Sequence, residues 1–243
     1  MDISNFKKEN IIKYIDKGAE GTVWLYNDNG KEVALKIFYT DNPTLNNKNK
    51  EEKLMLLKNE EYLKDDMKLL NRMYSDGKFI GYTSIYEPYE PVSFLMKKKQ
   101  KIELLKQLQD KYEALNSHNI YIGDFNSKNM SFKDNKLKLY DLDNFRVGDL
   151  DFNVFNYIME KYTVRFEDIE NIDYYCFNYF ALGLMASTDP KHIICGPGRK
   201  NLPLRLKTNE AKSFIKSLDD FNNHSYIEMT KDGKQKTLLY LLK

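Results

Sequence analysis

The sequence predicts an α+β protein of two lobes, a strand-rich front and a helix-rich back joined near residues 86–91. Three observations predict it. Short β-branched and aromatic runs separated by turn residues fill the first 40 positions, and a 3.6-residue apolar period takes over further along. The 243 residues also suffice for one sizeable core, or one domain in two lobes, without disulfide or metal support.

At the front, Ile11-Ile12-Lys13-Tyr14-Ile15 alternates weakly, and Thr22-Val23-Trp24-Leu25-Tyr26 is β-branched and aromatic. Asn27-Asp28-Asn29-Gly30 is turn chemistry before Val33-Ala34-Leu35-Lys36-Ile37-Phe38. Consecutive hairpins follow from this pattern. From Asn47 to Tyr74 the apolar residues Leu56, Leu63, Met67, Leu70 and Met73 recur at helical spacing, which predicts one helix or two. Asp76-Gly77 then turns the chain into a β-rich stretch, Phe79 to Leu95, broken by Pro88 and Pro91.

Lys97 to Asn116 reads as an amphipathic helix with Ile102, Leu105, Leu108, Tyr112 and Leu115 in one stripe. Short strands are expected at 120–122 and 137–140, a buried helix from Asp173 to Met185, and a helix near Thr208 to Phe221. The last residues, with Lys231-Asp232-Gly233-Lys234 as a turn, suit either a hairpin or a terminal helix. This organisation divides the chain into 1–85 and 86–243, with 189–243 the atypical part.

Composition narrows the functional classes. Apolar residues at 42% and mixed charges at 30% describe a folded chain rather than a disordered one. A net charge of +2 leaves no surplus field to capture nucleic acid or an anionic membrane, so neither partner is expected. Cys176 and Cys195 sit in no metal-ligand spacing, and Met1 to Lys8 lacks the order of a signal peptide. A cytoplasmic protein is the expectation. His118 falls at a helix end, where a C-terminal cap is its expected role; His192 and His224 form no cluster, and Cys195-Gly196-Pro197-Gly198 reads as a turn.

The chemistry concentrates in two places. Asp124 and Asn129 lie five residues apart in a loop, and Asp141 follows twelve beyond Asn129 at a strand end. These hard oxygens suit Mg²⁺, which prefers one or two carboxylates plus substrate phosphates to an all-protein cage. Near the start, Gly18-Ala19-Glu20-Gly21-Thr22-Val23 precedes Val33-Ala34-Leu35-Lys36. Glycines permit close backbone approach to a polyphosphate, and a strand lysine supplies fixed positive charge.

In this order and spacing, the chain from about Ile11 to Met185 resembles the protein-kinase superfamily, in a divergent, compact form of bacterial or viral type. The resemblance implies a two-lobe fold with an antiparallel-sheet N-lobe, a mainly helical C-lobe and a hinge near residues 82–91. It implies ATP-dependent phosphoryl transfer with ATP and Mg²⁺ as cofactors. Gly18, Gly21 and Val23 match the loop over ATP, Ala34 the nucleotide-lining position before the lysine, and Lys36 the lysine on the α- and β-phosphates. Asp124 matches the catalytic aspartate, Asn129 and Asp141 the metal ligands, and Asp173 a brace for the catalytic loop. Glu52, or alternatively Glu60, would pair with Lys36, and Lys128 either neutralises the γ-phosphate or is an ordinary loop lysine.

Several positions depart from the pattern. Asp16 replaces the first glycine and Glu20 the loop-tip aromatic, while Ile122-Gly123-Asp124 stands where His-Arg-Asp is usual. Without that Arg, constitutive activity is expected rather than switching by segment phosphorylation. Asp141-Leu142-Asp143 lacks the usual glycine. A protein serine/threonine kinase, with Tyr as another acceptor, is the favoured reading. Gly-Asp-x-Asn at 123–126 also resembles the aminoglycoside and choline kinase branch, and a pseudokinase acting as a binding module is the reading from another class.

Overall fold

The structure is a computed structural model that describes residues 7–39, 47–66, 68–88, 90–153, 170–188, 209, 213, 231 and 233–241. The fold is α+β and divides into two compact units. The first comprises Met1–Tyr89 with Leu139–Asn153, the second Glu90–Lys138 with Val154–Lys243. The first break between the units falls after residue 89. The stretch 139–153 clusters with the N-terminal unit and not with the residues around it in sequence.

The first unit is built on a five-stranded antiparallel sheet of order β1-β2-β3-β5-β4. Its strands are β1 (Ile11–Lys17), β2 (Gly21–Asp28), β3 (Lys31–Phe38), β4 (Leu69–Ser75) and β5 (Lys78–Ile85). Two tight hairpins set the register. Asn29 and Gly30 have φ of 53° and 87°, and Asp76 and Gly77 have φ of 50° and 72°; paired left-handed residues match the twist of the flanking strands. Alternation then sends Val33 and Leu35 into a core with Tyr26, Met73 and Ile80, while Phe38 packs with Phe79 and Leu54 on the other face.

Leu54 belongs to α1 (Asn47–Leu57), the helix that covers this second face. Its buried residues are Lys50, Lys53, Leu54 and Leu57, an i, i+3, i+4, i+7 stripe half made of lysines. The expected face was therefore wrong in angle: Leu56 points to solvent at 52% exposure. The expected helical run to Tyr74 also ends early, because 69–75 is strand β4. Leu70 and Met73 are three residues apart, a helical spacing, yet both pack on the Val33–Leu35 core of the sheet, because the pairing of β4 with β5 shifts between Leu69 and Asn71.

In the second unit, α2 (Lys98–Ser117) and α3 (Ile172–Ala186) form close to the expected positions. Leu104, Leu105, Leu108, Tyr112 and Leu115 of α2 are buried, and α3 is buried on nearly all sides, as its apolar composition requires. Tyr112, Phe125 and Phe177 stack edge to face or tilted with centroids 5.2–6.3 Å apart. Lys101 runs beneath this core and donates to the Leu184 carbonyl at 2.6 Å and to Ser187 Oγ at 2.8 Å, satisfying the C-terminus of α3. His118 is the C-cap of α2, and its N–H donates to the Leu115 carbonyl.

Met130–Lys133 and Lys136–Leu139 form a further hairpin across Asp134 and Asn135. Of the two expected endings the described residues take the helical one, a turn at Leu238–Leu241. It docks through hydrogen bonds: Thr237 Oγ1 donates to Gln109 Oε1 at 2.7 Å, and Leu238 N–H to Asn178 Oδ1 at 2.8 Å. The expected helix near 208–221, His192, His224 and the Cys195 turn lie outside the described residues. Among the described residues, no helix is long and apolar enough to cross a membrane.

Candidate functional site

Lys36 sits in the middle of β3, opposite Val23 on β2 and Tyr82 on β5. Cross-strand partners share a face, so Val23, Ala34, Lys36, Tyr82 and Ser84 line the side of the sheet that α1 covers. Lys36 is 7% exposed. Its ammonium engages Asp141 Oδ1 and lies 2.8 Å from Asp143 Oδ1. Tyr82 OH donates to the same Asp143 oxygen at 3.1 Å. A partner 105 residues away in sequence is thereby brought onto the lysine.

The turn that carries these carboxylates is conformationally costly. Asp141 has φ 61° and ψ 38°, left-handed for a residue with a Cβ, a cost of about 1–3 kcal/mol that the surroundings must hold in place. Leu142–Asn144 follows as a single 3₁₀ turn. Asn153 closes it, donating through Nδ2 to the Asp143 carbonyl at 2.7 Å and through its N–H to Asn144 Oδ1 at 3.0 Å.

Behind Lys36 lies a second layer of charge. Lys50 of α1 is fully buried, 2.6 Å from Glu20 Oε1 and 3.8 Å from Asp143 Oδ2. These three atoms are close enough for ion pairing, yet none has a hydrogen bond of its own. The Phe38 ring lies near both lysines, its centroid 4.0 Å from Lys50 Nζ and 5.5 Å from Lys36 Nζ. Lys53, also fully buried, donates to the Asp151 carbonyl at 3.0 Å.

Burial acts to lower the Lys36 pKa, but Asp141 and Asp143 outweigh it and hold the ammonium well above the usual lysine value. For Asp143 burial pushes upward, and Lys36 and Lys50 prevail to keep it low and ionised. Glu20 is raised, by burial and then by Asp143, against the pull of Lys50. Burial takes Lys53 down to about 8.

The expected glutamate partner is corrected. Glu52 is exposed on α1 and does not reach Lys36, while Glu60 accepts a bond from Tyr62 N–H at the start of a 3₁₀ turn. The helix presents lysines where the resemblance called for a carboxylate. The residues that the sequence reading passed over are Asp143, Lys50, Lys53 and Tyr82. Lys50 and Lys53 were detectable, since with Leu54 and Leu57 they complete a helical stripe.

The glycines also have structural duties. Gly18 N–H donates to the Gly21 carbonyl at 3.0 Å, closing the β1–β2 turn. A Cβ on Gly21 would lie 2.4 Å from the Ile37 carbonyl oxygen, so close packing of β2 on β3 demands glycine there. Gly18 is exposed, with open space where a Cβ would sit.

In the second unit, Asp124 and Asn129 are joined: Asn129 Nδ2 donates to Asp124 Oδ2 at 2.9 Å. The loop is pinned from below by Asp173, whose carboxylate accepts from Ile122 N–H at 2.9 Å and Gly123 N–H at 2.6 Å. This is the brace expected of Asp173. Its burial lifts the pKa to about 7, against the lowering effect of those two bonds. Asn126 Oδ1 accepts from Lys128 N–H at 3.0 Å, and the Lys128 side chain is exposed.

Each unit by itself offers an oxygen that suits a hard cation. The bond from Asn129 uses its amide nitrogen and leaves the carbonyl oxygen uncommitted, while the Asp141 side chain stays 37% exposed beside its bond to Lys36. Among the described residues no group of three or more His, Cys, Asp or Glu could hold a metal. Magnesium that takes most of its ligands from phosphate and water needs no such group. A recess of about 80 Å³, bordered by Leu54, Asp66, Tyr82, Ser84 and Asp141, is too small for a nucleotide, for which about 300 Å³ or more is usual. Compared with protein-family models and with curated proteins, the sequence matches none.

Proposed function

We propose that the protein is an ATP-dependent phosphotransferase of protein-kinase-like fold that acts on a hydroxyl, with a serine or threonine of a protein as the favoured acceptor. The observation that carries this reading is the Lys36–Asp141 contact, which joins a strand lysine to a carboxylate 105 residues later. Support also comes from the Asp124–Asn129 pair in a loop braced by Asp173.

In this reading Lys36 holds the α- and β-phosphates, and Gly18, Gly21, Val23 and Ala34 line the nucleotide. By the resemblance, Asp141 and Asn129 would hold Mg²⁺. The bound ion would neutralise phosphate charge and align the leaving group. Asp124 orients the acceptor hydroxyl and takes its proton as the oxygen bonds to the γ-phosphorus. The bond from that phosphorus to the β-phosphate oxygen breaks, and ADP carries away the negative charge. Lys128 is assigned to offset charge on the γ-phosphate.

The test is transfer of label from γ-labelled ATP. Asp124→Asn should lower transfer by about 10²–10⁴-fold while nucleotide binding persists. Unchanged transfer overturns the assignment. Autophosphorylation of the purified chain favours a protein acceptor over an aminoglycoside-like small molecule. One observation favours the pseudokinase reading instead: Lys36 is already neutralised by two carboxylates, and Glu20 of the loop is buried against Lys50. A thermal shift with ATP that ignores Mg²⁺, together with no turnover, would select it.

A further inference from the structure

We infer that Asp143, held from α1 by Lys50, is the residue that positions Lys36, in place of a glutamate on the helix. The inference rests on the reading of Lys36 as the phosphate-binding lysine. Its geometry stands independently, because all the residues concerned belong to the first unit.

A lysine that must meet phosphates needs its long side chain fixed, since a free one loses rotamer entropy with each bond it makes. In the superfamily the resemblance invokes, a helix carboxylate does this. Here α1 carries no carboxylate on its buried face; that face is Lys50, Lys53, Leu54 and Leu57. The charge order across the unit is inverted and extended by one member. Lys50 on the helix approaches Asp143 Oδ2 at 3.8 Å, and Asp143 Oδ1 holds Lys36 at 2.8 Å.

Asp143 is well suited to this task. Its side chain is fully buried, the Oδ1 that holds Lys36 also accepts from the Tyr82 hydroxyl, and its backbone carbonyl is tied by Asn153. Asp141, two residues earlier, is 37% exposed and stays reachable by a cation, so one carboxylate positions while the other remains for ligand. Lys50 also faces Glu20 at 2.6 Å, which links the β1–β2 turn to the same chain of charges. Asp143 and Lys50 thus act through Lys36 as positioning residues, and neither is assigned contact with substrate.

The experiment is competitive acylation of the full chain with a trace of acetic anhydride, read lysine by lysine by mass spectrometry. Exposed Lys31 and Lys78 serve as internal references. Lys36 should react slowly in the wild type. Asp143→Asn should raise its rate about tenfold relative to the references, the loss of one charge-assisted bond. Lys50→Met, which spares both Lys36 contacts, should raise it several-fold, and Glu52→Gln should leave it unchanged.

No rise in either of the first two, or an equal rise in Glu52→Gln, overturns the inference. If Asp143→Asn fails to fold, seen as every lysine reacting alike, Lys50→Met decides. A second measurement asks for function: Asp143→Asn should lose the preference for ATP over adenosine while adenosine affinity holds, and retention of that preference counts against the inference. If the wild type binds no ATP, the phosphotransferase reading falls, and acylation still decides what holds Lys36.

Discussion

Replacing Asp143 by Asn removes one charge from a cluster that holds Glu20, Asp141 and Asp143 against Lys36, Lys50 and Lys53. Three carboxylates oppose three ammonium groups, so the change leaves one buried positive charge in excess. Asn keeps the shape and accepts a bond from Lys36, but Lys50 faces an amide where a carboxylate stood 3.8 Å away. Breaking a buried pair from one side costs about 3–5 kcal/mol, and the retained neutral bond places this case near the lower end. With an m-value of about 2 kcal/mol/M in urea, a loss of about 3 kcal/mol moves the midpoint down by about 1.5 M.

Trp24, the single tryptophan, lies in β2 of the same unit, so its fluorescence follows this transition. Adding Lys50→Met removes the excess charge, and the double variant should be more stable than the sum of the single losses by at least about 1 kcal/mol. A loss below about 1 kcal/mol for Asp143→Asn, or strict additivity in the double variant, would refute the claim that these charges balance one another.

Gly81→Ala should cost about 2 kcal/mol or more, because the new Cβ would lie 2.2 Å from the Lys36 carbonyl oxygen and only backbone movement of β3 relieves it; urea unfolding checks this. Gly18→Ala meets open space and should change stability by less than about 0.5 kcal/mol, while a fall in ATP affinity measured by titration calorimetry would locate nucleotide at that turn. Asp173 has a folded pKa of about 7 against an ordinary 3.8, so the native state holds its proton more tightly. Stability should therefore fall as pH rises from about 4 to about 7, by up to about 4 kcal/mol, and Asp173→Asn should remove that part of the slope. Equal slopes in the two proteins would contradict the shift. Thr237→Val leaves the Gln109 acceptor unpaired in a buried contact and should cost about 1–3 kcal/mol, with faster hydrogen exchange at 238–241 as its local signature.

Much of the scaffold was legible because its causes are local. Asn29-Gly30 and Asp76-Gly77 supply the left-handed residues that tight hairpins require, α2 follows from apolar periodicity, and α3 from an apolar run buried on nearly all sides. Strand β4 was misread because Leu70 and Met73 have helical spacing and a register shift in the pairing with β5 lets both reach one core, which only the tertiary structure shows. The face of α1 was misjudged because burial was inferred from apolar character. Lys50 and Lys53 are buried by virtue of the carboxylates and carbonyl they meet, which lie up to 98 residues away.

By itself, then, the sequence determined the hairpins, the two long helices and the set of residues with chemistry to offer: Lys36, Asp124, Asn129, Asp141 and Asp173. Each depends on a residue and its near neighbours, where spacing and conformational preference act directly. Tertiary structure alone decided that Lys36 is held by Asp143 as well as Asp141, that α1 contributes Lys50 and leaves Glu52 in solvent, and that Asp173 bonds the Ile122 and Gly123 amides. The reason is that a buried charge is tolerable only beside its counter-charge, and which counter-charge stands beside it is fixed when strand, helix and turn pack together.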